Sequence, residues 1–551
     1  MIKSTTKFID ELKDLFYLGL SFYFPFFILL FLGYSIIDYE WSYFKEVLAF
    51  GIMNSVFMLL FLTVKKKRYR LFFMCFFSVL LYILVITKLF FYQLYGVKIG
   101  GSALYVIFET NQSEAVDYFS DFVNNSIIVI LMLIILSLDI VLRFFFFPKK
   151  IDNLISRIPV LCFKNLFLKF SVVILAFTGS YVVVKKFYRE NIMIETFNAY
   201  QEYIAFKKLL KNNLSKPESK YLKNVKAAKS PQTFIVVIGE STSRAHMQLY
   251  GYNRETNPEL NKIKKELYIF DDVIAPHVHT ISSLEKILTL SNNSDPDKKE
   301  NSSIIQLANQ AGFTSYWLSN QKPLGFSESI PTLIGNGANQ KYFINSNDYN
   351  YDVYDESLLP YLDSILKEPV QKKLVFIHLM GTHGVYDKRY PKEFNYFTDN
   401  SPLVKFKHKE AYKKTNAYDN AVRYNDFIIR TIIEKVRNQN TQSYVMYFSD
   451  HGDEVYDTID FLGHNEYHGS KSMYEVPFIV WMSDSYKKAI SKEWHKSIRI
   501  HRKYNLEDFI HSFAQISSID FDSYDATRSI FEKKFQDRKR IVKINVDYDK
   551  K

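Results

Sequence analysis

The sequence predicts an N-terminal five-helix transmembrane domain followed by a C-terminal α/β domain. Two observations lead to this division. The 551 residues are 48% hydrophobic, yet the mean hydropathy is only −0.11, so the apolar residues must be unevenly distributed. Long apolar runs lie before about Lys185, and short apolar runs alternate with helical patterns after it. Such alternation is typical of α/β domains with a largely parallel sheet, and a chain of this length can hold both parts.

Five apolar segments approach the ~20 residues that a membrane-spanning helix requires. They run over Leu15–Ile37, Val47–Val64, Leu71–Phe91, Ser126–Phe147 and Leu166–Val184. The first segment is too long for a removable signal peptide and lacks a small-residue cleavage site. We therefore interpret it as a membrane anchor.

The basic residues of the short loops predict the orientation of these spans, because Lys and Arg are retained on the cytoplasmic side. The second loop, 65–70, is strongly basic, and the fourth also carries Lys and Arg. The first and third loops carry acidic residues instead. Five spans with the N-terminus inside place everything after Lys185 outside the cytoplasm.

The chain is accordingly divided into three parts. Residues 1–188 form the five-span domain, with a long outer loop at about 92–125. Residues 189–231 are Lys-rich with interleaved aromatic and aliphatic side chains, which indicates an interfacial helix and a linker. Residues 232–551 form the soluble domain.

The net charge of +12 limits the class of partner. It fits a basic surface that faces anionic phospholipid or lipopolysaccharide, and topology signals explain part of it. The sequence contains no helix-turn-helix or RNA-binding signature, so we expect no nucleic-acid partner.

Both cysteines, Cys75 and Cys162, lie in the N-terminal part. The soluble domain therefore has neither disulfides nor thiolate metal ligands. Any metal in it must be held by histidine, carboxylate or hydroxyl groups.

Polar residues follow three apolar runs of the soluble domain. Glu240 follows Thr233–Gly239, the Asp450-His451 pair follows Tyr444–Ser449, and a Gly-Thr-His-Gly stretch follows Leu374–His378. Open α/β sheets bind ligands at the carboxyl ends of their strands. Each motif alone is more often a solvated strand end, but a carboxylate and an imidazole together suit Zn²⁺. The combination predicts a metal site.

A metal-activated nucleophile should be a hydroxyl here, since the domain has no thiol. Thr280, Ser282 and Ser283 are the candidates in the segment 275–284. Composition alone does not choose among them.

The motifs Ile238–Arg244 (IGESTSR), Leu249–Tyr252 (LYGY) and Thr256–Pro258 (TNP) stand in this order. They resemble the opening motifs of the phosphoethanolamine transferases, a family of the alkaline phosphatase/sulfatase superfamily. The resemblance covers nearly the whole chain. It implies an alkaline-phosphatase-like (sulfatase-like) catalytic domain and a multi-pass protein of the bacterial inner membrane with that domain in the periplasm. It also implies transfer of phosphoethanolamine from phosphatidylethanolamine to lipopolysaccharide core, lipid A or periplasmic glucan.

The resemblance further implies roles for individual residues. The zinc ligands would be Glu240, Thr280, Asp450 and His451, with Thr280 also the nucleophile of a phosphothreonine-type intermediate. The remaining implied residues act on substrate or on a second zinc ion: His383, His464, Asn320, Thr110 and Glu114. One tight zinc site is expected, with a second ion at His383 and His464, and a monomer is expected.

Two of these assignments have alternatives. His464 and His468 both match the family's downstream histidine, and we take His464 first, with His468 assigned to substrate binding. Thr110 and Glu114 lie four residues apart on one helical face, which suits a lipid headgroup but also an ordinary amphipathic surface helix.

Departures from the family pattern bear on the acceptor. The cysteine-free domain is unlike the disulfide-rich lipid A modifiers, and the segments 285–289 and 450–457 look more like the core-heptose or glucan-modifying branch. The alternative function is that of a lipoteichoic-acid-synthase-like glycerophosphotransferase. A sulfatase is disfavoured because no Cys-x-Pro-x-Arg or Ser-x-Pro-x-Arg stretch is present.

Overall fold

The computed structural model describes the chain in segments. They are residues 22–34, 41–64, 67–95, 99, 104, 107–108, 130–131, 134–135, 137–138, 166–296, 298, 300–321, 330–344, 353–399, 404–466, 468–490, 498–543 and 545–550. These residues form two compact units, the first extending to Ile204 and the second starting at Ala205.

The first unit is helical wherever it is described at length. Its helices α1 to α4 are Phe22–Tyr34, Trp41–Thr63, Lys67–Tyr95 and Leu166–Lys186, and α5, Ile192–Leu214, begins in this unit and ends in the second. Within α2 and α3, the stretches Tyr43–Phe61 and Phe72–Leu89 are long and apolar enough to cross a membrane. The predicted span Ser126–Phe147 falls mostly outside the described residues, so the count of five spans stays a prediction.

A buried ion pair joins α2 to α3. Lys88 Nζ contacts the Glu46 carboxylate, Tyr92 Oη donates to Glu46 Oε1 at 2.7 Å, and Lys88 Nζ also donates to the Glu190 carbonyl at 3.0 Å. An unpaired charge among apolar helices would be costly, whereas these groups satisfy one another.

The second unit is built on a seven-stranded sheet. Its strands β1 to β7 are Gln232–Gly239, Leu267–Phe270, Thr314–Ser319, Gln340–Phe343, Lys372–His378, Gln442–Ser449 and Phe478–Met482. The spatial order is β2-β7-β6-β1-β5-β3-β4. Strands β6, β1, β5, β3 and β4 run parallel, while β7 is antiparallel to both β6 and β2.

Helices pack against this sheet. They are α6 to α14: Pro258–Asn261, Thr280–Ile287, Ile304–Gln310, Ile330–Gly335, Leu359–Lys367, Lys409–Arg437, Lys471–Tyr474, Asp484–Ala489 and Phe509–Ile516. Four two-stranded pairs complete the described elements: Lys226–Ala227 with Ile519–Asp520, Val273–Ile274 with Tyr504–Asn505, Glu454–Val455 with Leu462–Gly463, and Ile541–Val542 with Val546–Asp547.

The sequence of β1 explains its central position. All eight of its residues are buried. Phe234 and Ile238 point into one hydrophobic cluster, which includes Phe509 of α14, and Val237 points into a second cluster, which includes Ile428 of α11. A strand covered on both faces has to be apolar along its whole length. The predicted α/β architecture of this part of the chain is therefore confirmed.

The register of the parallel strands places three strand ends side by side. Ile238 of β1 lies opposite His378 of β5, and Gly239 lies opposite Ser449 of β6. Beyond the strands, the Asp450 amide donates to the Gly239 carbonyl at 3.1 Å. Glu240 and Asp450 therefore leave neighbouring strands at the same level.

The loop after β5 closes over the end of β1. The amide and the hydroxyl of Thr382 both donate to the Glu240 carbonyl at 3.0 Å. Gly381 has φ +55°, and a Cβ there would lie 2.8 Å from the Glu240 nitrogen. Only glycine combines this backbone conformation with so close an approach.

Gly381→Ala should destabilise the second unit more than Gly384→Ala. Both positions have positive φ, which costs an alanine about 1–2 kcal/mol, but a Cβ at Gly384 would meet nothing within 4 Å. The thermal unfolding of both full-length variants in detergent measures the difference. Equal transition temperatures would contradict a steric role for Gly381 at Glu240.

Candidate metal centre

Four side chains converge at the carboxyl ends of β1 and β6. Thr280 Oγ1 lies 3.1 Å from Glu240 Oε1 and 3.3 Å from His451 Nε2. His451 Nε2 lies 3.3 Å from Glu240 Oε1 and 3.4 Å from Asp450 Oδ2. The structure thus brings together all four residues that the sequence resemblance assigned to zinc.

These separations fit a tetrahedral ion. Four ligand atoms at about 2.0–2.1 Å from a central Zn²⁺ lie roughly 3.3–3.4 Å from one another. Asp450 Oδ2 is buried and has no hydrogen-bond partner among the described residues. A bound cation would satisfy it, so the donor set of two carboxylates, one imidazole and one hydroxyl suits zinc.

The electrostatics of the group show the same need for positive charge. Burial opposes ionisation of Glu240, but the hydrogen bond and charge of His451 outweigh it and hold its pKa well below the usual value. Burial and the neighbouring Glu240 raise the pKa of Asp450. Burial alone would lower the pKa of His451, yet Asp450 and Glu240 raise it to about 10. Two carboxylates that are buried away from solvent thus favour the binding of a cation between them.

The backbone orients Asp450 and His451. The amides of Ser241 and His451 donate to Asp450 Oδ1 at 3.1 and 2.7 Å, which leaves Oδ2 free to face the site. His451 Nδ1 lies 3.0 Å from the Gly452 carbonyl. A carbonyl only accepts, so Nδ1 carries the proton and Nε2 presents its lone pair.

Gln321 holds the outer oxygen of Glu240, and sequence reasoning missed it. Its Nε2 donates to Glu240 Oε2 at 2.9 Å and to the Leu379 carbonyl at 3.0 Å. With Oε2 engaged, Glu240 offers only Oε1 to the centre. The sequence signal for Gln321 is its position directly after Asn320 at the end of β3, because the site lies at this edge of the sheet.

The geometry separates the three candidate hydroxyls. Thr280 is the first residue of α7 and points at the centre. Ser283, one turn later on the same face, donates its hydroxyl to the Asp450 carbonyl. Ser282 lies two residues from Thr280 and belongs to neither interaction. Among the three, Thr280 has the hydroxyl within reach of the converging ligands.

His464 lies beside the centre. Its ring centroid is 4.2 Å from that of His451, and its Nδ1 lies 2.7 Å from Asp453 Oδ1. Tyr386 Oη donates to the other Asp453 oxygen at 2.7 Å. Because a carboxylate only accepts, His464 Nδ1 carries a proton and Nε2 keeps a lone pair. Burial, then the charge of His451, lowers the pKa of His464.

The other two histidines assigned from the sequence differ in their surroundings. His383 lies in the loop after β5, and its charge helps to lower the pKa of Glu240. The ring of His468 packs against Phe461 at 4.9 Å. Of the two downstream candidates, the structure brings His464 to the group.

His279 is a second residue that sequence reasoning missed. Its ring centroid lies 5.3 Å from that of His464, and its buried Nδ1 has no partner among the described residues. Burial, then the charge of His464, lowers its pKa to about 3. The sequence signal for His279 is its position directly before Thr280.

Asn320 stabilises the loop that covers Glu240, through hydrogen bonds to the residues that hold this loop. Its Nδ2 donates to Asp355 Oδ1 at 2.9 Å and to the Val353 carbonyl at 2.7 Å. Asp355 in turn accepts from the amides of Met380 and Gly381 at 2.8 and 3.0 Å. The Asn320 Oδ1 atom is buried and has no hydrogen-bond partner among the described residues. Thr110 and Glu114 lie outside the described residues.

Replacing Gln321 with leucine should weaken zinc binding by about 10- to 100-fold, the usual effect of removing a residue that orients a ligand. Glu240 would lose the bond that fixes its Oε2. Competition with a chromophoric chelator measures the dissociation constant, and Gln439→Leu, at a half-buried position after α11, is the matched control. Unchanged zinc affinity in Gln321→Leu would contradict the orienting role.

Comparisons with known proteins agree with this geometry. The Sulfatase family model matches residues 232–519. The phosphoethanolamine transferase EptC of Escherichia coli K12 is 30% identical over 525 residues, which cover 86% of this chain and 85% of EptC. The described sheet and its converging ligands lie within the matched range.

Two solved structures resemble the chain. The C-terminal periplasmic domain of Escherichia coli EptC in complex with Zn is 33% identical, with a TM-score of 0.57, covering 60% of this chain and 96% of that domain. The integral membrane protein EptA of Neisseria meningitidis shares the fold over 93% of this chain and 97% of its own, with a TM-score of 0.59 at 18% identity.

Together these matches decide between the two activities that the sequence left open. The family model covers more than half of the chain, and the similarity to EptC extends into both units. They favour phosphoethanolamine transfer over glycerophosphate transfer and support zinc as the metal of the relatives' site. The chain belongs to the phosphoethanolamine transferases, with a catalytic domain of the sulfatase family.

Proposed function

We propose that this protein transfers phosphoethanolamine from phosphatidylethanolamine to a cell-envelope glycan or glycolipid, by way of a covalent intermediate on Thr280. Lipopolysaccharide core, lipid A and periplasmic glucan are the acceptor classes. The observation that carries the proposal is the position of Thr280 Oγ1, 3.1 Å from Glu240 Oε1 and 3.3 Å from His451 Nε2. A hydroxyl held among metal ligands is placed to become a nucleophile.

Glu240, Thr280, Asp450 and His451 would hold one tightly bound zinc ion. His383 and His464 are the residues for a second. Zinc supplies a Lewis acid that lowers the pKa of a bound hydroxyl and polarises a phosphodiester. The enclosed site excludes water from the carboxylates, since Glu240, Asp450 and His451 are all buried.

In the first step, Thr280 Oγ1 attacks the phosphorus of the donor. The bond from phosphorus to the diacylglycerol oxygen breaks, and diacylglycerol leaves as the alcohol after taking up the proton that the Thr280 hydroxyl loses. The phosphoethanolamine group is then esterified to Thr280. Neighbouring imidazoles provide positive or donor groups for the non-bridging oxygens, where charge redistributes.

In the second step, an acceptor hydroxyl or phosphate attacks the same phosphorus and releases Thr280. His464 Nε2 has a free lone pair, because Nδ1 is committed to Asp453. When no second ion is bound there, that nitrogen can take the proton of an acceptor hydroxyl. Tyr386 and Asp453 keep the His464 ring in this orientation.

The membrane part would present the lipid donor to this site. We propose five spans in residues 1–188, with the outer loop at 92–125, an interfacial helix and linker at 189–231, and the catalytic domain at 232–551. Thr110 and Glu114 of the outer loop would face the lipid headgroup. The protein would be a monomer of the bacterial inner membrane with its catalytic domain in the periplasm. Holding the donor at the interface supplies part of the rate through proximity.

Thr280→Ala should abolish both transfer and the covalent adduct. Ser282→Ala is the matched control, because it removes a hydroxyl from the same helix that does not reach the centre, and it should keep both. Intact-protein mass spectrometry after incubation with phosphatidylethanolamine detects the adduct. An adduct on Thr280→Ala would show that another residue is the nucleophile.

The proposed topology predicts which engineered cysteines react from outside. In a chain whose Cys75 and Cys162 are replaced by serine, Glu218→Cys in the linker should react with a membrane-impermeant maleimide added to intact cells. Lys66→Cys in the second loop should react only after the inner membrane is opened. The reverse pattern, or equal labelling, would refute five spans with an internal N-terminus.

A further inference from the structure

The second unit contains a cavity of about 590 Å³ that none of the proposed catalytic residues lines. Three segments form its walls: 292–295, 503–508 and 528–541. The first wall follows α7, the helix that begins with Thr280. The cavity therefore belongs to the same unit as the metal centre but is a separate space.

Cationic side chains dominate the rim of the cavity. Lys503 and Arg538 are about half exposed, at 51% and 45% of their side-chain surface. Lys539 is also exposed and makes no ion pair among the described residues. The Arg538 pair with Asp525 is exposed, and exposed pairs contribute little. Lys503 lies 3.4 Å from Asp549 in a partly exposed pair, so the charge of Lys539 is the one most available to an anionic ligand.

Two further arginines line the cavity, but their charges are already balanced. Arg540 binds both Asp549 oxygens and Asp272, and Arg528 binds Asp508. Arg540 is only 5% exposed. These pairs stiffen the wall, so a ligand would meet fixed partners rather than flexible side chains.

The remaining lining suits a polyhydroxylated molecule. Asn292, Asn505 and Gln536 contribute side-chain amides to the lining. Phe535 contributes an aromatic ring. Amides and carboxylates exchange hydrogen bonds with sugar hydroxyls, and a ring face packs against the apolar side of a sugar. Phe535 and Ile541 are the apolar residues of the lining, and the other lining residues are polar or charged.

The cavity lies close to the catalytic side of the unit. Glu507, a lining residue, accepts a hydrogen bond from the Asn293 amide at 2.8 Å, and the charge of His277 acts on its carboxylate. His277 Nδ1 lies 2.6 Å from Glu466, two residues after His464. Helix α7, which begins with Thr280 and ends before the first cavity wall, spans about 12 Å, a length comparable to a few sugar units.

We propose that this cavity binds an anionic saccharide portion of the acceptor while its modified end reaches Thr280. The proposal rests on the proposed function and deepens it by naming the acceptor chemistry: a phosphorylated or otherwise acidic oligosaccharide. The rim cations pair with the anionic substituent, and the amides and Phe535 hold the sugar. The cavity has no part in binding the lipid donor.

The test separates acceptor binding from the first chemical step. Lys539→Glu reverses one exposed rim charge, and Lys534→Glu makes the same change at an exposed position outside the lining. The probe is the phosphorylated oligosaccharide of deacylated lipopolysaccharide, with its phosphatase-treated counterpart as the arm of lower negative charge. Titration calorimetry with full-length Thr280→Ala in detergent measures binding without turnover.

Lys539→Glu should weaken binding of the phosphorylated oligosaccharide by about tenfold or more, the scale of a lost charge-assisted contact. It should raise the KM of the full-length enzyme for this acceptor to the same extent. The rate of adduct formation from phosphatidylethanolamine should not change. Lys534→Glu should resemble the unmodified chain in all three measurements.

Several outcomes would overturn the proposal. Equal affinity of Lys539→Glu and the parent for the phosphorylated oligosaccharide, or of the parent for the phosphorylated and dephosphorylated oligosaccharides, would show that the cavity does not recognise the phosphate. If inorganic phosphate alone competes with an affinity equal to that of the oligosaccharide, the cavity is an anion site that does not recognise sugar. Failure of the proposed function has a different signature, because no adduct would then form on Thr280 even where the oligosaccharide binds.

Discussion

The structure of the second unit depends on how negative charge is buried at the end of its sheet. Glu240 and Asp450 leave adjacent parallel strands and face each other with almost no solvent. Removing a carboxylate from water is costly unless a cation or several donors replace the lost hydration. The surrounding elements meet part of this cost. Backbone amides donate to Oδ1 of Asp450, Gln321 donates to Oε2 of Glu240, and His451 and Thr280 lie at Oε1 of Glu240. Oδ2 of Asp450 has no hydrogen-bond partner among the described residues.

The large features of this arrangement were accessible from the sequence. The apolar runs that become β1, β5 and β6 predicted the parallel sheet, and the polar residues after them predicted a site at its edge. Buried parallel strands have to be apolar throughout, so their ends are visible as the first polar residues. The motif resemblance then placed Glu240, Thr280, Asp450 and His451, and the geometry brings these four together.

The finer features were not accessible, because they depend on side-chain direction rather than on residue type. Thr280, Ser282 and Ser283 have similar chemistry, and only the helical phase of α7 distinguishes them. The choice between His464 and His468 depends on how the chain after β6 turns. The hydrogen bond of Gln321 to Glu240 joins residues far apart in the chain, so the position of Gln321 after β3 indicates the sheet edge but not the bonding partner. In the first unit, the number of spans is still inferred from hydropathy and loop charge alone.

The contact between the Gly381 loop and Glu240 makes metal binding part of the folding equilibrium. A ligand that binds only the folded state raises its stability by RT ln(1 + [L]/Kd). At a free zinc concentration about 100 times Kd, this amounts to about 2.7 kcal/mol. Loss of the ion would leave two facing carboxylates with His451 as their counter-charge and loosen the loop that both hydrogen bonds of Thr382 hold. Zinc supply in the surrounding compartment would then govern the lifetime of the enzyme as well as its turnover.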